Sequence, residues 1–254
     1  SAWQEQIENL ELLSRYPLGK DFFRIDHGDN YLSFFARLGK THYYAAVENG
    51  KITAVAAGIL RTIKQTPASN KVFRAWYLCA LQVHPDHRGR MIPLRIFSRA
   101  FFWNYLKCQK IYAISMNGAD SGKVERLLKR FRWAPMEVAT TLNFFSLSFV
   151  QLMHVRDLLE RHLGNISFLS LAKKKDLILE STSKPLPLLH IQHGNGSATE
   201  GNPKQDYVHM MCLPENHVLC DELVSLGLLV SATATIIHRG MNQTQWDFVM
   251  TSDI

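Results

Sequence analysis

Apolar positions recur along this chain with two different periods, and the alternation between them predicts short strands interleaved with amphipathic helices. Trp3, Ile7 and Leu10 make a helical stripe in an acidic first segment. Residues 21–26 read as a first strand, turned by His27-Gly28-Asp29. Tyr31, Phe34, Phe35 and Leu38 return to helical spacing, with Gly39 as the stop. Strands over 41–48 and 51–63 flank Asn49-Gly50, a strong hairpin signal, and a polar loop with Pro67 follows. The β-prone run from Ala75 ends at Val83, where His84-Pro85 breaks it. After the charged turn 86–90, Pro93 suits the first turn of a helix whose stripe is Leu94, Phe97 and Phe101. Residues 110–116 predict another strand and 122–131 a helix. Residues 133–147 predict two strands, broken near Pro135 and around Asn143.

From Ser148 the pattern starts again. Phe149, Leu152, Val155 and Leu159 form a stripe ending at Gly164, and Lys173-Lys174-Lys175 reads as a solvated basic turn. Strands are expected at 177–180, 188–192 and 207–213, a polar loop at 194–205, and a helix at 215–226. Residues 231–239 and 246–252 predict a closing hairpin. The tail echoes the segment before it: Tyr112-x-x-x-Met116, helix, Thr-rich strand against Tyr207-x-x-x-Met211, helix, Ala232–Ile236, at an offset of roughly 95 residues. The expectation is α+β: a mixed, mainly antiparallel sheet with helices on both faces. It divides into a domain over 1–147 and a partial repeat of it over 148–254.

Composition narrows the function classes. A chain of 254 residues with 46% hydrophobic and 11% aromatic residues can bury a sizeable core. The sequence has no apolar run long enough for a membrane-spanning helix and no signal-peptide pattern, and its four cysteines form no disulfide framework. A cytoplasmic protein is expected. The net charge of +7 favours anionic partners. The basic face over 123–132 lacks any base-stacking motif, so nucleic acid is set aside. The spacing His209-x-x-Cys212-x-x-x-x-His217-x-x-Cys220 resembles a zinc set. However, His209 and Cys212 fall on a strand, where residues three apart face opposite sides, and no metal is expected.

The richest chemistry lies at 83–99. A turn entering a helix offers free amides at the positive end of the helix dipole, and Arg88, Arg90, Arg95 and Arg99 surround it, a setting suited to pyrophosphate. Val83-His84-Pro85-x-x-Arg88-Gly89 resembles the start of the acetyl-CoA motif of the GNAT N-acetyltransferases, and the order of elements over roughly 20–147 is similar to theirs. The resemblance implies an acetyl-CoA-dependent N-acetyltransferase with an amine acceptor, a small molecule or a protein. Leu81, Gln82 and Val83 would hold the pantetheine and acetyl carbonyl, and Arg88, Gly89, Arg90, Met91, Ile92 and Pro93 the phosphates. Asn117 would be a further pantetheine contact.

Met91 and Pro93 stand where the family has Gly and Gly or Ala, Cys79 where it often has Glu, and Leu128 where many members have Tyr. Cys79 is therefore the candidate catalytic residue, as proton shuttle or nucleophile, with core packing as the alternative. Tyr112, His84 and Ser121 are weaker proton carriers. The competing functional reading is a degenerate domain that senses CoA or binds protein. The tail lacks a second copy of the motif and is not expected to bind CoA.

Overall fold

The computed structural model describes residues 2–18, 21–28, 30–64, 71–118, 135–194 and 201–254. The predicted helix over 122–131, Leu128, Ser121 and the basic face over 123–132 lie outside the described residues, as do Asp29 and parts of the loops 64–71 and 194–205.

The described elements are α1 (Ala2–Leu12), β1 (Tyr16–Leu18), β2 (Asp21–Asp26), α2 (Tyr31–Ala36), β3 (Lys40–Glu48), β4 (Lys51–Lys64), β5 (Val72–Val83) and α3 (Ile92–Tyr105). They continue with β6 (Ile111–Met116), β7 (Glu137–Leu147), α4 (Phe149–Leu163), β8 (Ile166–Leu169), β9 (Asp176–Leu179), β10 (Leu188–His193), β11 (Val208–Pro214), α5 (Val218–Ser225) and β12 (Val230–Arg239). Local signals explain most of them. Asn49 and Gly50 both take positive φ, 52° and 76°, as the tight β3–β4 hairpin requires. Ser148 and Gln151 form a reciprocal capping box at the start of α4, and Gly164 ends it.

The strands form one nine-stranded sheet in the order β3-β4-β5-β6-β12-β7-β11-β10-β8, and a small three-stranded sheet β1-β2-β9. The large sheet is antiparallel except for the pairs β5–β6 and β10–β11. The expected mixed α+β architecture is present. Strand β7, which follows β6 in the chain, pairs not with β6 but with β11 and β12. Strand β12, which follows β11, pairs with β6 and β7. Each half of the sheet therefore receives a strand from the other, and hydrogen bonding is continuous across residue 147.

Two cores lie on opposite faces. One gathers α1, α2, the small sheet and the C-terminal segment around Tyr77, Tyr112, Phe144, Met210 and Ile236. The other packs α4 and α5 on Phe145, Leu147, Met211, Leu213 and Ile191.

Several expectations are corrected. The predicted break at Asn143 is absent: Asn143 pairs with Leu213 and Thr233 on its two sides, inside one 11-residue strand. Residues 246–252 form no strand. Thr251–Asp253 is instead a 3₁₀ turn, held by Thr251 against His190 (2.9 Å) and by Asp253 against Arg61 (2.9 Å). The stripe on α1 buries Ile7, Leu10 and Glu11, while Trp3 is half exposed. The Lys173-Lys174-Lys175 turn is not solvated throughout, because Lys175 is only 9% exposed.

Candidate functional site

Strands β5 and β6 are parallel neighbours over only three pairs: Trp76 with Ile111, Tyr77 with Tyr112 and Leu78 with Ala113. Beyond Leu78 they separate, and the edge of β5 over 79–83 faces a gap. On its other edge β5 carries a bulge opposite Val55–Ala57, and Ala80 within it sits at φ 52°, a left-handed conformation that costs a non-glycine residue. A bulge re-aims backbone groups and bends the strand that carries it.

The gap opens into a cleft of about 920 Å³. On one face of the sheet it is lined by Pro93, Phe97 and Phe101 of α3. On the other it is lined by Glu11 of α1, Phe34 of α2 and Lys175. The indole of Trp76 holds α3 against the sheet by donating to the Asn104 carbonyl at 2.9 Å.

The turn after β5 stands at the mouth of this gap. The His84 N–H donates to Thr53 O at 2.9 Å, and residues 85–87 form a 3₁₀ turn. Gly89 has φ 81° and open space around it. Met91 takes φ 58°, the left-handed conformation that Gly adopts without penalty, so the backbone there keeps a glycine-like shape under a larger side chain. The first helical bond of α3 runs from Arg95 N–H to Met91 O at 3.2 Å, so the amides of Ile92 and Leu94 have no intrahelical acceptor. Pro93, at the second helical position, has no N–H to offer.

The arginines are not equivalent. Arg88, Arg95 and Arg99 are exposed, whereas Arg90 lies 3.6 Å from Glu48, which His87 also approaches at 3.2 Å. Of the residues assigned to pantetheine, Leu81 and Gln82 line the cleft and Val83 pairs with Ala54. Asn117 is tied to β12: its Nδ2 donates to Thr233 Oγ1 at 3.1 Å, and Thr235 Oγ1 donates to its Oδ1 at 2.9 Å. Its side chain therefore locks the inserted strand.

Cys79 lines the cleft on the face of Tyr77 and Lys175. Burial pushes its thiol up to about 12, against the lowering pull of Lys175 and Arg61. A raised thiol disfavours the thiolate that a nucleophile uses. Tyr112 is fully buried and accepts from Arg61 at 2.9 Å, and burial raises its hydroxyl far above the ordinary range.

Two charged groups in the cleft escaped the sequence reading. Glu11 is 5% exposed, and its carboxylate accepts from Tyr16 (3.3 Å), Gln82 (3.2 Å) and Tyr31 (3.3 Å). Gln82 pairs with Val55 directly after the bulge, so Glu11 is anchored to β5 beside it. Burial raises the carboxyl, and the hydrogen bonds and the charge of Lys175 oppose that rise. Its signal was its place four residues after Ile7, on the buried side of α1.

Lys175 is turned inward by the packing of its own loop on the turn after β2. His27 Nδ1 meets Lys174 O at 3.1 Å, and a Cβ on Gly28 would lie 2.2 Å from Lys173 O, so only glycine fits there. Burial lowers His27 to about 4, so it is a neutral imidazole donating to that carbonyl. Burial also lowers Lys175 to about 8, with Glu11 pulling it back up. Its triplet neighbours concealed it in the sequence.

The parallel pair β10–β11 also spans three pairs, but residues from the C-terminal segment pack on it: Thr251 Oγ1 donates to Met210 O at 3.1 Å, and Gln192 Nε2 donates to Ser252 Oγ at 2.7 Å. The second divergence is thus covered by the protein itself. Among the described residues no group of three or more His, Cys, Asp or Glu side chains is placed to hold a metal ion, and no helix is long and apolar enough to cross a membrane.

No family model matches the chain. It is 23% identical over 238 residues to uncharacterized protein L340 of Acanthamoeba polyphaga mimivirus, covering 89% of this chain and 68% of that protein. Similar solved structures include Eis1 from Mycobacterium abscessus (13% identity, 67% of this chain and 37% of that one, TM-score 0.37). A tandem GNAT protein from the clavulanic acid biosynthesis pathway is also similar (8% identity, 79% and 82%, TM-score 0.42). So is a GCN5-related N-acetyltransferase from Anabaena variabilis (10% identity, 85% and 72%, TM-score 0.42). The chain thus spans little more than a third of the Eis1 chain. All three TM-scores lie below 0.5, and the weight falls on the chain's own geometry.

Proposed function

We propose that this chain is an acyl-CoA-dependent N-acyltransferase that moves an acetyl group from acetyl-CoA to an amine. The observation that carries the reading is the divergence of β5 from β6 beyond Leu78, with the bulge at Ala80 and the amide-rich turn into α3 at the same end of the strand. An extended pantetheine can add itself to the open edge of β5 as a further strand would. Its phosphates then meet the amides of Gly89, Arg90, Met91 and Ile92 and the exposed Arg88. Pro93 contributes shape and no donor, and Leu81, Gln82 and Val83 frame the thioester.

In this reading Glu11 takes the place of the missing strand carboxylate. It removes a proton from the acceptor ammonium, and the freed lone pair attacks the thioester carbonyl. The bulge amides stabilise the resulting oxyanion, the C–S bond breaks, and the proton that the nitrogen loses as the amide forms passes to the departing CoA thiolate. Cys79 keeps its proton and forms part of the wall. The reading includes a division at residue 147: the first part carries the donor face, and the second supplies β12, Lys175 and Asp253 to the acceptor face. It also includes a cytoplasmic setting, on the ground that all four cysteines are free thiols.

The test is CoA release followed with a thiol reagent across a panel of primary amines. Glu11→Gln is expected to lower kcat by about 10²–10⁴-fold with acetyl-CoA affinity unchanged. An undiminished rate would remove Glu11 from the role, and no release with any amine would remove the reaction.

A further inference from the structure

Lys175 holds a buried amine at the wall of the cleft. Among the described residues its Nζ has no hydrogen-bond acceptor and no carboxylate within ion-pairing distance, and its close partner is the face of Phe34 at 4.7 Å. The side chain is largely buried and Nζ is turned to the cleft, where an anionic group on a ligand would offset the weakened hydration of the ammonium. Glu11, of opposite charge, lines the same cleft and forms no direct ion pair with Lys175. The Glu11 carboxylate accepts two bonds on Oε1 and one on Oε2, which leaves a direction on Oε2 open to a further donor. The apolar part of the wall is Phe22, Phe23, Phe34 and Leu177, and His27, His190 and Asp253 line the same cleft.

We propose that the acceptor is a zwitterion with an apolar side chain, an amino acid of the phenylalanine or leucine class. Its carboxylate sits on Lys175, its amine faces Glu11, and its side chain lies against Phe23, Phe34 and Leu177. This inference rests on the acyl-transfer reading and deepens it by naming the acceptor class. The charges balance within the cleft. The ligand carboxylate neutralises Lys175, and the ligand ammonium gives its proton to Glu11 before the C–N bond forms and the C–S bond breaks. A simple alkylamine would satisfy Glu11 and the apolar wall but would leave Lys175 uncompensated.

The test compares L-phenylalanine and L-leucine with their decarboxylated counterparts, 2-phenylethylamine and 3-methylbutylamine, as acceptors at saturating acetyl-CoA. The wild-type protein is expected to show a KM for the amino acids at least about tenfold below that for the amines. Lys175→Met should erase the preference by raising the KM of the amino acids about tenfold or more relative to the KM of the amines. The wild-type comparison needs no variant and stands if Lys175→Met fails to fold. Amines used as well as the amino acids, or Lys175→Met slowing both sets alike, would overturn the inference. Turnover of none of the four by a protein that still binds acetyl-CoA would overturn the inference alone, whereas loss of acetyl-CoA binding itself would overturn the reading beneath it.

Discussion

At the scale of single residues, the positions that matter most are those whose surroundings oppose their chemistry. Lys175 is one. Its amine is lowered from the usual lysine range to about 8 by burial, so the folded state releases a proton that the unfolded chain still holds between about pH 8 and the ordinary lysine value. In that window the unfolded state binds more protons, and stability rises with pH. Below it, the full penalty of the buried charge is present. Lys175→Met is therefore expected to melt at a higher temperature than wild type at pH 7, by the equivalent of roughly 1 kcal/mol or more. The gap should narrow at pH 9.5, and thermal denaturation at both pH values checks it. A variant less stable at pH 7 would show that the lysine is structural.

Met91 is the second such position. Its φ of 58° suits glycine, and Met91→Gly is expected to stabilise the protein by up to about 1 kcal/mol in urea unfolding and to tighten acetyl-CoA binding. The sequence showed that Met91 departs from the glycine of the motif, but not that the backbone keeps the glycine conformation. Glu11 and Lys175 were hidden for a related reason. Lys175 sits beside the exposed Lys173 and Lys174, and Glu11 shares its helix with Glu5 and Glu8, while burial is decided by partners far away in the chain: Tyr31, Gln82 and Phe34.

At the scale of elements, the local signals were legible and the long-range ones were not. Asn49-Gly50, the Ser148 cap and the Pro85 break each act within a few residues, and the hairpin, α4 and the end of β5 follow from them. The order β6-β12-β7-β11 cannot be read from periodicity, because an apolar strand does not announce its neighbours. Asn117 is an example: the family resemblance implied a ligand contact, and the fold adds bonds from its amide to Thr233 and Thr235 on a strand distant in the chain.

The inserted strand carries its own prediction. Since β12 is the hydrogen-bonded neighbour of both β6 and β7, residues 1–147 expressed alone should give neither a cooperative thermal transition nor acetyl-CoA binding. A folded, binding-competent fragment would show that the first part is autonomous. Replacing Thr235 with Val removes the donor to Asn117 Oδ1 and should lower stability by about 1–3 kcal/mol, measured by urea unfolding.

At the scale of the whole molecule, the sheet contains two parallel pairs that each run for three residue pairs, and the chain treats them differently. The first is left open and leads from α3 through the sheet to Glu11 and Lys175. The second is covered by Thr251 and Ser252, and Asp253 then reaches on to Arg61 beside the first. One half thus offers an open edge, and the other closes its own edge and completes the wall of its neighbour.

The most direct test is calorimetric titration of acetyl-CoA into the full chain and into Arg88→Glu, which changes an exposed side chain at the mouth of the gap. The account predicts binding in the micromolar range for wild type, about −8 kcal/mol, and its loss in the variant. No binding to wild type at millimolar acetyl-CoA, or equal binding to both proteins, would contradict it.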